Sequence, residues 1–304
     1  HWKYMAINTA EGQMNLYPSS PKLGLWPDGY YLSADMFDVY NNGLDMDPEG
    51  AKVWALNRED LTSPSTTVIR YIDYYLPEWQ NYEHLVPSNL LGYPPPTGTP
   101  NYFASIQQGK FHIWEFYANW LNPSASKFGT PTNEPNKTIT TDTSATWATG
   151  YIIPQTPALG ANPEQLDVVG DRLMSPLQYR IVDNTPSFSP THALHASSVV
   201  VMRWYEIQFG TDGLPYFYQI GTHQPDTNYR WLGSLAVDRM GDMALGFSIS
   251  SSTLNPSIYY AGRLKSDPAG LLAQGENILY PRPVGAAFTG PQLDNDMVFD
   301  GPWG

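Results

Sequence analysis

One pattern occurs twice in this chain and excludes most folds. Residues 231–252, WLGSLAVDRMGDMALGFSISSS, read as a short strand, a glycine-containing turn and a longer strand. Residues 21–37, PKLGLWPDGYYLSADMF, repeat the layout. Leu23-Gly24-Leu25-Trp26 aligns with Leu235-Ala236-Val237-Asp238, Gly29 with Gly241, and Tyr31-Leu32-Ser33 with Met243-Ala244-Leu245. Small residues in the first strand suit a place where backbones converge, and alternating apolar residues in the second suit a half-buried sheet. Two such hairpins, far apart in a chain with almost no helical periodicity, predict a radial β architecture.

Composition agrees. Only 15% of the 304 residues are charged, against roughly 25% in ordinary domains, and 14% are aromatic. Long surface helices need Glu and Lys, so the chain is not helical. Its 28 Pro and 25 Gly predict many short strands joined by turns. A net charge of −13 repels phosphate backbones and anionic bilayers, which excludes nucleic acid and membrane surfaces as partners. No apolar run reaches the ~18 residues of a membrane helix. With no cysteine, thiolate zinc sites and cysteine nucleophiles are excluded. The chain begins at His1, as a trimmed mature chain would. Together with sparse lysine and the acceptor triplet Asn136-Lys137-Thr138, a glycosylation candidate, this points to a secreted protein.

The strand pattern divides the chain further. Lys22–Trp26 and Tyr30–Phe37 flank a Pro27-Asp28-Gly29 turn, and residues 41–50 read as an acidic loop. Residues 51–57 and 66–71 are predicted strands, with one helical turn between them capped by Asn57. Residues 85–100, with five prolines, read as a rigid surface loop. Residues 102–107 and 110–120 form a hairpin, and 122–163 is a long Thr- and Pro-rich excursion. Strands follow at 171–182, 197–209, 214–221, 257–264 and 276–280. At about four strands per fifty residues, the chain holds four or five propeller blades.

The segments GDRLMSPLQYR (170–180), VMRWYEIQ (201–208), 229–264 and 21–38 resemble a family of secreted, largely uncharacterised microbial β-propellers related to sialidase-like, Asp-box propellers. The resemblance implies an all-β fold of four-stranded antiparallel blades in one domain, 1–304, belonging to a ring of about six or seven blades. Family members have sequence before His1 and continue with Trp-Gly-Asp-Tyr-Ser beyond Trp303-Gly304, so the resemblance implies a chain truncated at both ends. They also often carry cysteines in the long loop, which this chain lacks. The family brings no established activity.

Candidate chemistry is sparse. Residues 140–147, TTDTSATW, approach an Asp-box, with Ser144 where glycine is usual. In that motif Asp142 and Trp147 would brace a hairpin between outer strands. A sialidase-like site needs arginines to clamp a carboxylate, and Arg172, Arg203, Arg230 and Arg263 all lie in strand-like segments. The competing reading pairs each with a nearby acid, Arg172 with Asp171 or Arg203 with Glu206. Tyr205 and Glu206 point to opposite faces and cannot act together. Asp28, Asp35, Asp171 and Asp238 are the carboxylates available for hydrolysis, but Asp28 with Gly29 and Asp238 with Gly241 read as turn residues. His192 and His195 lack convergent metal partners. Asp45 and Asp47, or Asp294 and Asp296, offer oxygens to calcium, the one cofactor considered.

Three functions follow. The first is a secreted binding or structural module for a glycan, surface polymer or protein, with Arg172, Arg203, Arg263, His195 and Tyr205 as ligand-binding candidates. The second is a sialidase-like glycan-active enzyme. The third is a subunit of an extracellular assembly, joined to a second chain through its terminal strands.

Overall fold

The structure is a computed structural model and describes residues 9–11, 14–40, 45–107, 109–141, 146–156, 165–174, 176–196 and 198–281. The chain divides into two compact units, His1–Ser105 with Phe111–Thr138, and Ile106–Lys110 with Ile139–Gly304. It is all-β, built from antiparallel sheets, the last of them a four-stranded meander.

The first unit opens with a sheet of β1 (Ala10–Glu11), β2 (Met14–Leu25), β3 (Gly29–Tyr40), β4 (Asp45–Asn57) and β5 (Tyr71–Pro77), paired in chain order. The next meander holds β6 (Val86–Leu90), β7 (Asn101–Gln107) and β8 (Lys110–Tyr117), with β9 (Lys127–Phe128) and β10 (Lys137–Thr140) both pairing with β8. The core of this unit is aromatic. Phe103, Phe116, Phe128 and Trp114 are fully buried. Trp114 stacks on Phe128 at 6.1 Å, and Tyr31 meets Phe116 edge-on at 5.3 Å. Such pairs add ~0.5–1.5 kcal/mol each beyond the area they bury.

Three expectations for this unit are corrected. The acidic stretch is not a loop up to Gly50: β4 starts at Asp45, with Tyr40 facing Asp45 and Asp38 facing Asp47 across the ladder. The β3 strand continues far enough to offer its edge, and backbone pairing outweighs the poor strand propensity of aspartate. The strand predicted at 66–71 starts only at Tyr71. Asp60 explains why: the helical turn α1 (Arg58–Thr62), capped by Asn57 through Asp60 N at 3.0 Å, aims Asp60 back at Arg70. Arg70 binds it through Nε at 2.7 Å, Nη2 at 2.9 Å and its own backbone N at 3.0 Å, which takes 70 out of the ladder. Finally, 85–100 is not all loop. β6 lies inside it, pairing Val86 with Ala104 and Pro87 with Phe103.

The second unit carries β11 (Thr146–Trp147), β12 (Tyr151–Ile153), β13 (Leu166–Asp167), β14 (Leu177–Val182), β15 (Thr185–Ser189), β16 (Thr191–Ala196), β17 (Val199–Phe209) and β18 (Pro215–His223). Pro190 lacks a donor and breaks what would be one strand into β15 and β16, which both pair with the same edge of β17. β18 takes the opposite edge, and β11 adds to β16. The last meander is β19 (Tyr229–Val237), β20 (Met243–Ser250), β21 (Ser257–Arg263) and β22 (Glu276–Tyr280), in simple order. Along β20 every second side chain, Met243, Leu245, Phe247 and Ile249, is buried in the core with Trp204, Trp231 and Leu235. No helix among the described residues is long and apolar enough to cross a membrane.

The two hairpins that align in sequence differ in their turns. Gly241 sits at φ +88 in a turn closed by Asp238 N donating to Asp242 O at 2.9 Å. Gly29 begins β3 and has no positive φ. Its turn is one residue tighter, closed by Trp26 N donating to Gly29 O at 2.9 Å. Glycine is needed there for space: a Cβ would lie 3.0 Å from Leu56 O and 3.1 Å from the Tyr31 ring.

Candidate functional site

A shallow, open cleft lies within the second unit. Its chemistry comes from three neighbouring strands. In β16 and β17, His192 faces Arg203 and Leu194 faces Val201. In β11, Trp147 faces Leu194. Residues opposite one another in an antiparallel ladder share a face, as do residues two apart. Trp147, Leu194, His192, Arg203 and Tyr205 therefore emerge on the same side, and all five line the cleft. The hairpin tip at Gly109 closes the rim, held by Thr141 N donating to Gly109 O at 3.0 Å.

The aromatic floor is tightly ordered. His192 stacks on Tyr205 at 5.7 Å with ring planes 7° apart, and Trp147 meets His192 edge-on at 5.9 Å. Tyr205 in turn stacks on Phe217 at 5.2 Å. The Tyr205 hydroxyl and His192 Nε2 are 2.9 Å apart, and His192 Nδ1 is 3.0 Å from Ala193 O. Nδ1 donates to the carbonyl, and in the neutral ring that burial favours Nε2 accepts from the hydroxyl. Burial pushes its pKa down to about 4, the backbone acceptor at Ala193 opposes this, and the Arg203 charge adds to the depression.

Arg203 supplies the positive charge of the cleft. Its Nε is buried without a hydrogen-bond partner, and no ion pair holds its guanidinium among the described residues. Pairing with Glu206 does not occur. Three residues apart on a strand is the opposite face, where Glu206 accepts from Gln208 Nε2 at 2.7 Å and Gln219 Nε2 at 2.5 Å. An aromatic face thus stands beside a cation whose N–H groups need an acceptor.

The other sequence candidates fall elsewhere. Arg172 pairs with Asp171, Nε to Oδ1 at 2.8 Å, as the structural reading expected. Arg263 is buried, donates from Nη2 to Asp267 O at 2.8 Å, and lies over the Trp204 ring. The three arginines do not converge. His195 is three residues from His192, so it faces away from the cleft. Asp142 lies outside the described residues, as do Asp294 and Asp296. The Asp-box hairpin is not formed by its flanking strands: β10 pairs with β8, whereas β11 pairs with β16. Trp147 is therefore a cleft residue, not a hairpin brace between those strands. Asn136 accepts from Glu115 N at 2.7 Å through the side chain that would carry a glycan. Asp238 is the turn residue expected, accepting from Met240 N at 2.7 Å and Asp242 N at 3.0 Å.

In the first unit two of the candidate carboxylates, Asp28 and Asp35, are engaged by partners that no local motif signals. Asp28 lies in its turn but is gripped from outside it, by the Tyr31 hydroxyl at 3.1 Å and Trp120 Nε1 at 3.2 Å. Burial raises its pKa against those hydrogen bonds. Buried Asp35 accepts from His84 N at 2.7 Å through Oδ1, and its Oδ2 lies 2.5 Å from His84 Nδ1. His84 has φ +55, a conformation that the two bonds from one carboxylate hold in place. His84 and Asp35 lie 49 residues apart, so no local motif signals the pair. His192 missed selection as a ligand residue because its role depends on register, though the two-residue spacing of Arg203 and Tyr205 was readable.

No protein-family model matches the chain, and no curated protein matches it at significance. Among solved structures, the chain is similar to a thermostable family-43 glycoside hydrolase, with 15% identity and a TM-score of 0.33, over 86% of this chain and 76% of that one. A likeness of that size identifies neither a chemistry nor a site.

Proposed function

We propose that this is a secreted β-propeller protein that binds a glycan in the cleft of Trp147, His192, Arg203 and Tyr205. One observation carries the reading: a half-exposed indole and a guanidinium with no partner among the described residues share one face of three adjacent strands. Sugars present apolar C–H faces that stack on indole and hydroxyls that need donors, and the cleft offers both kinds of contact. The packed aromatic floor holds them in place before any ligand arrives, which reduces the ordering cost of binding. A sialidase-like hydrolytic reading needs a carboxylate pair beside the sugar, and the described lining of the cleft contains no carboxylate.

A glycan array probed with the full chain tests the reading, followed by Trp147→Ala on any hit. Binding that weakens at least about tenfold on removal of the indole supports it. An array with no hits, or hits indifferent to Trp147, overturns it.

A further inference from the structure

We infer that the cleft selects sugars bearing an oxyanion, a carboxylate or a sulfate ester, and that Arg203 takes this group; the inference rests on the glycan reading above. The argument begins with what a guanidinium requires. It is a pure donor with five N–H groups and stays charged at every working pH. Leaving such groups unmet in a wall of buried aromatic rings is costly, and folded chains normally pair them.

The other arginines singled out in this unit follow that rule. Arg230 is fully buried and meets two carboxylates, Arg172 meets Asp171, and Arg263, though its Nε too is buried without a partner, meets a carbonyl through Nη2 and lies over an indole face. Arg203 alone among these four lines the cleft; its Nε is buried without an acceptor, and no hydrogen bond or ion pair holds the rest of its guanidinium among the described residues. Its sheet geometry denies it the nearest acid, since Glu206 faces the other way and is engaged by two amides.

The lining then sets the sign. The chain as a whole carries −13, yet the described lining holds one formally charged side chain, and it is cationic. His192 is held neutral between Tyr205 and Ala193 and does not compete for an anion. A neutral sugar can stack on Trp147 but leaves Arg203 with hydroxyl acceptors only. An oxyanion on the same ring offers charged, planar or tripodal oxygens, and hydrogen bonds between ions are roughly twice as strong as neutral ones. Spacing permits both contacts at once. Trp147 and Arg203 lie on strands separated by one other, about 10 Å at ~4.8 Å per strand, and both line the cleft.

The test compares three probes on the full chain by titration calorimetry: a neutral hexose oligosaccharide, the corresponding oligouronate and the corresponding sulfated oligosaccharide. The expected result is that one or both anionic probes bind about tenfold or more tightly than the neutral one. Arg203→Ala should erase that preference, and Arg203→Lys should retain part of it. Which anionic probe is preferred identifies the oxyanion. Equal affinity for all three, or a preference that survives Arg203→Ala, overturns the inference while leaving the glycan reading in place. No binding of any probe removes both. Circular dichroism and melting curves establish that each variant folds; if Arg203→Ala does not, Arg203→Gln replaces it in the same comparison.

Discussion

Arg203 and Arg230 lie in the same unit on strands β17 and β19, and their surroundings could hardly differ more. Arg230 is fully buried and spends its donors on Glu276, through Nε at 2.7 Å and Nη2 at 2.9 Å, and on Asp226 and Asn228 O through Nη1. His223 reaches the same Glu276 at 2.6 Å. Every charge in that network has a partner. Arg203 keeps an unmet Nε against an open cleft. The difference separates two uses of one residue type: a closed network orders the fold, while an open donor set waits for something from outside.

Stability measurements can break this comparison. Arg230→Leu leaves Glu276 and Asp226 without their cation, and should cost roughly 3–5 kcal/mol by denaturant unfolding. Arg203→Leu should change stability by no more than about 1 kcal/mol, since it deletes an unsatisfied donor. Equal costs for the two variants would mean that Arg203 is structural after all.

Acid titration sharpens the contrast by about as much. His192 has a pKa of about 4 in the fold and the usual 6.5 when unfolded, so between those values the unfolded chain binds more protons. Stability conferred by neutral His192 is complete above pH 6.5 and is lost as pH falls toward 4, by roughly 3 kcal/mol. His192→Phe should flatten that limb of the pH–stability curve; an unchanged limb would refute the neutral buried imidazole. The Arg230 network acts lower. Arg230 holds Asp226 below its ordinary value; burial pushes Glu276 up, but His223 and Arg230 outweigh it. Folded values depressed in this way give stability present above the ordinary carboxylate range and lost below it, beneath about pH 4.5. Arg230→Leu should remove this second limb and spare the first.

The smallest effects concern the twin turns. Asp28→Ala strands the buried Tyr31 hydroxyl and Trp120 Nε1, at a cost of roughly 2 kcal/mol, whereas Asp28→Asn keeps an acceptor and should cost less. Asp238→Ala removes acceptors only from exposed backbone N–H groups and should cost about 0.5–1 kcal/mol. Thermal unfolding of the variants ranks them; a larger loss at Asp238 would show that the two turns had been told apart wrongly.

Those turns also mark how far the sequence could be read. Strand, turn and strand were legible at both places, because alternating apolar residues and Gly-containing turns are local signals. The alignment of Gly29 with Gly241 was not a structural equivalence. One glycine supplies a positive φ, and the other makes room for a carbonyl brought in by β4. The same limit applies to 41–50 and 85–100, where composition indicated loop and a neighbouring strand imposed pairing. In the cleft, the common face of Arg203 and Tyr205 follows from spacing alone. Their meeting with His192 and Trp147 follows from a register set between strands that no local pattern encodes.

By itself the sequence determined an all-β chain of short antiparallel strands with its charge sparse and acidic, because periodicity, turn residues and composition act over a few residues. It also determined that Arg203 and Glu206 face apart. Only the tertiary structure decided which arginine would be satisfied. Arg172 has its acid next door, and Arg230 finds Glu276 46 residues away. Arg203 shares its cleft with Trp147 and His192, delivered by other strands, and has no described carboxylate in reach. Whether a charge is closed or open depends on what the rest of the chain brings to it, and that is fixed by strand pairing.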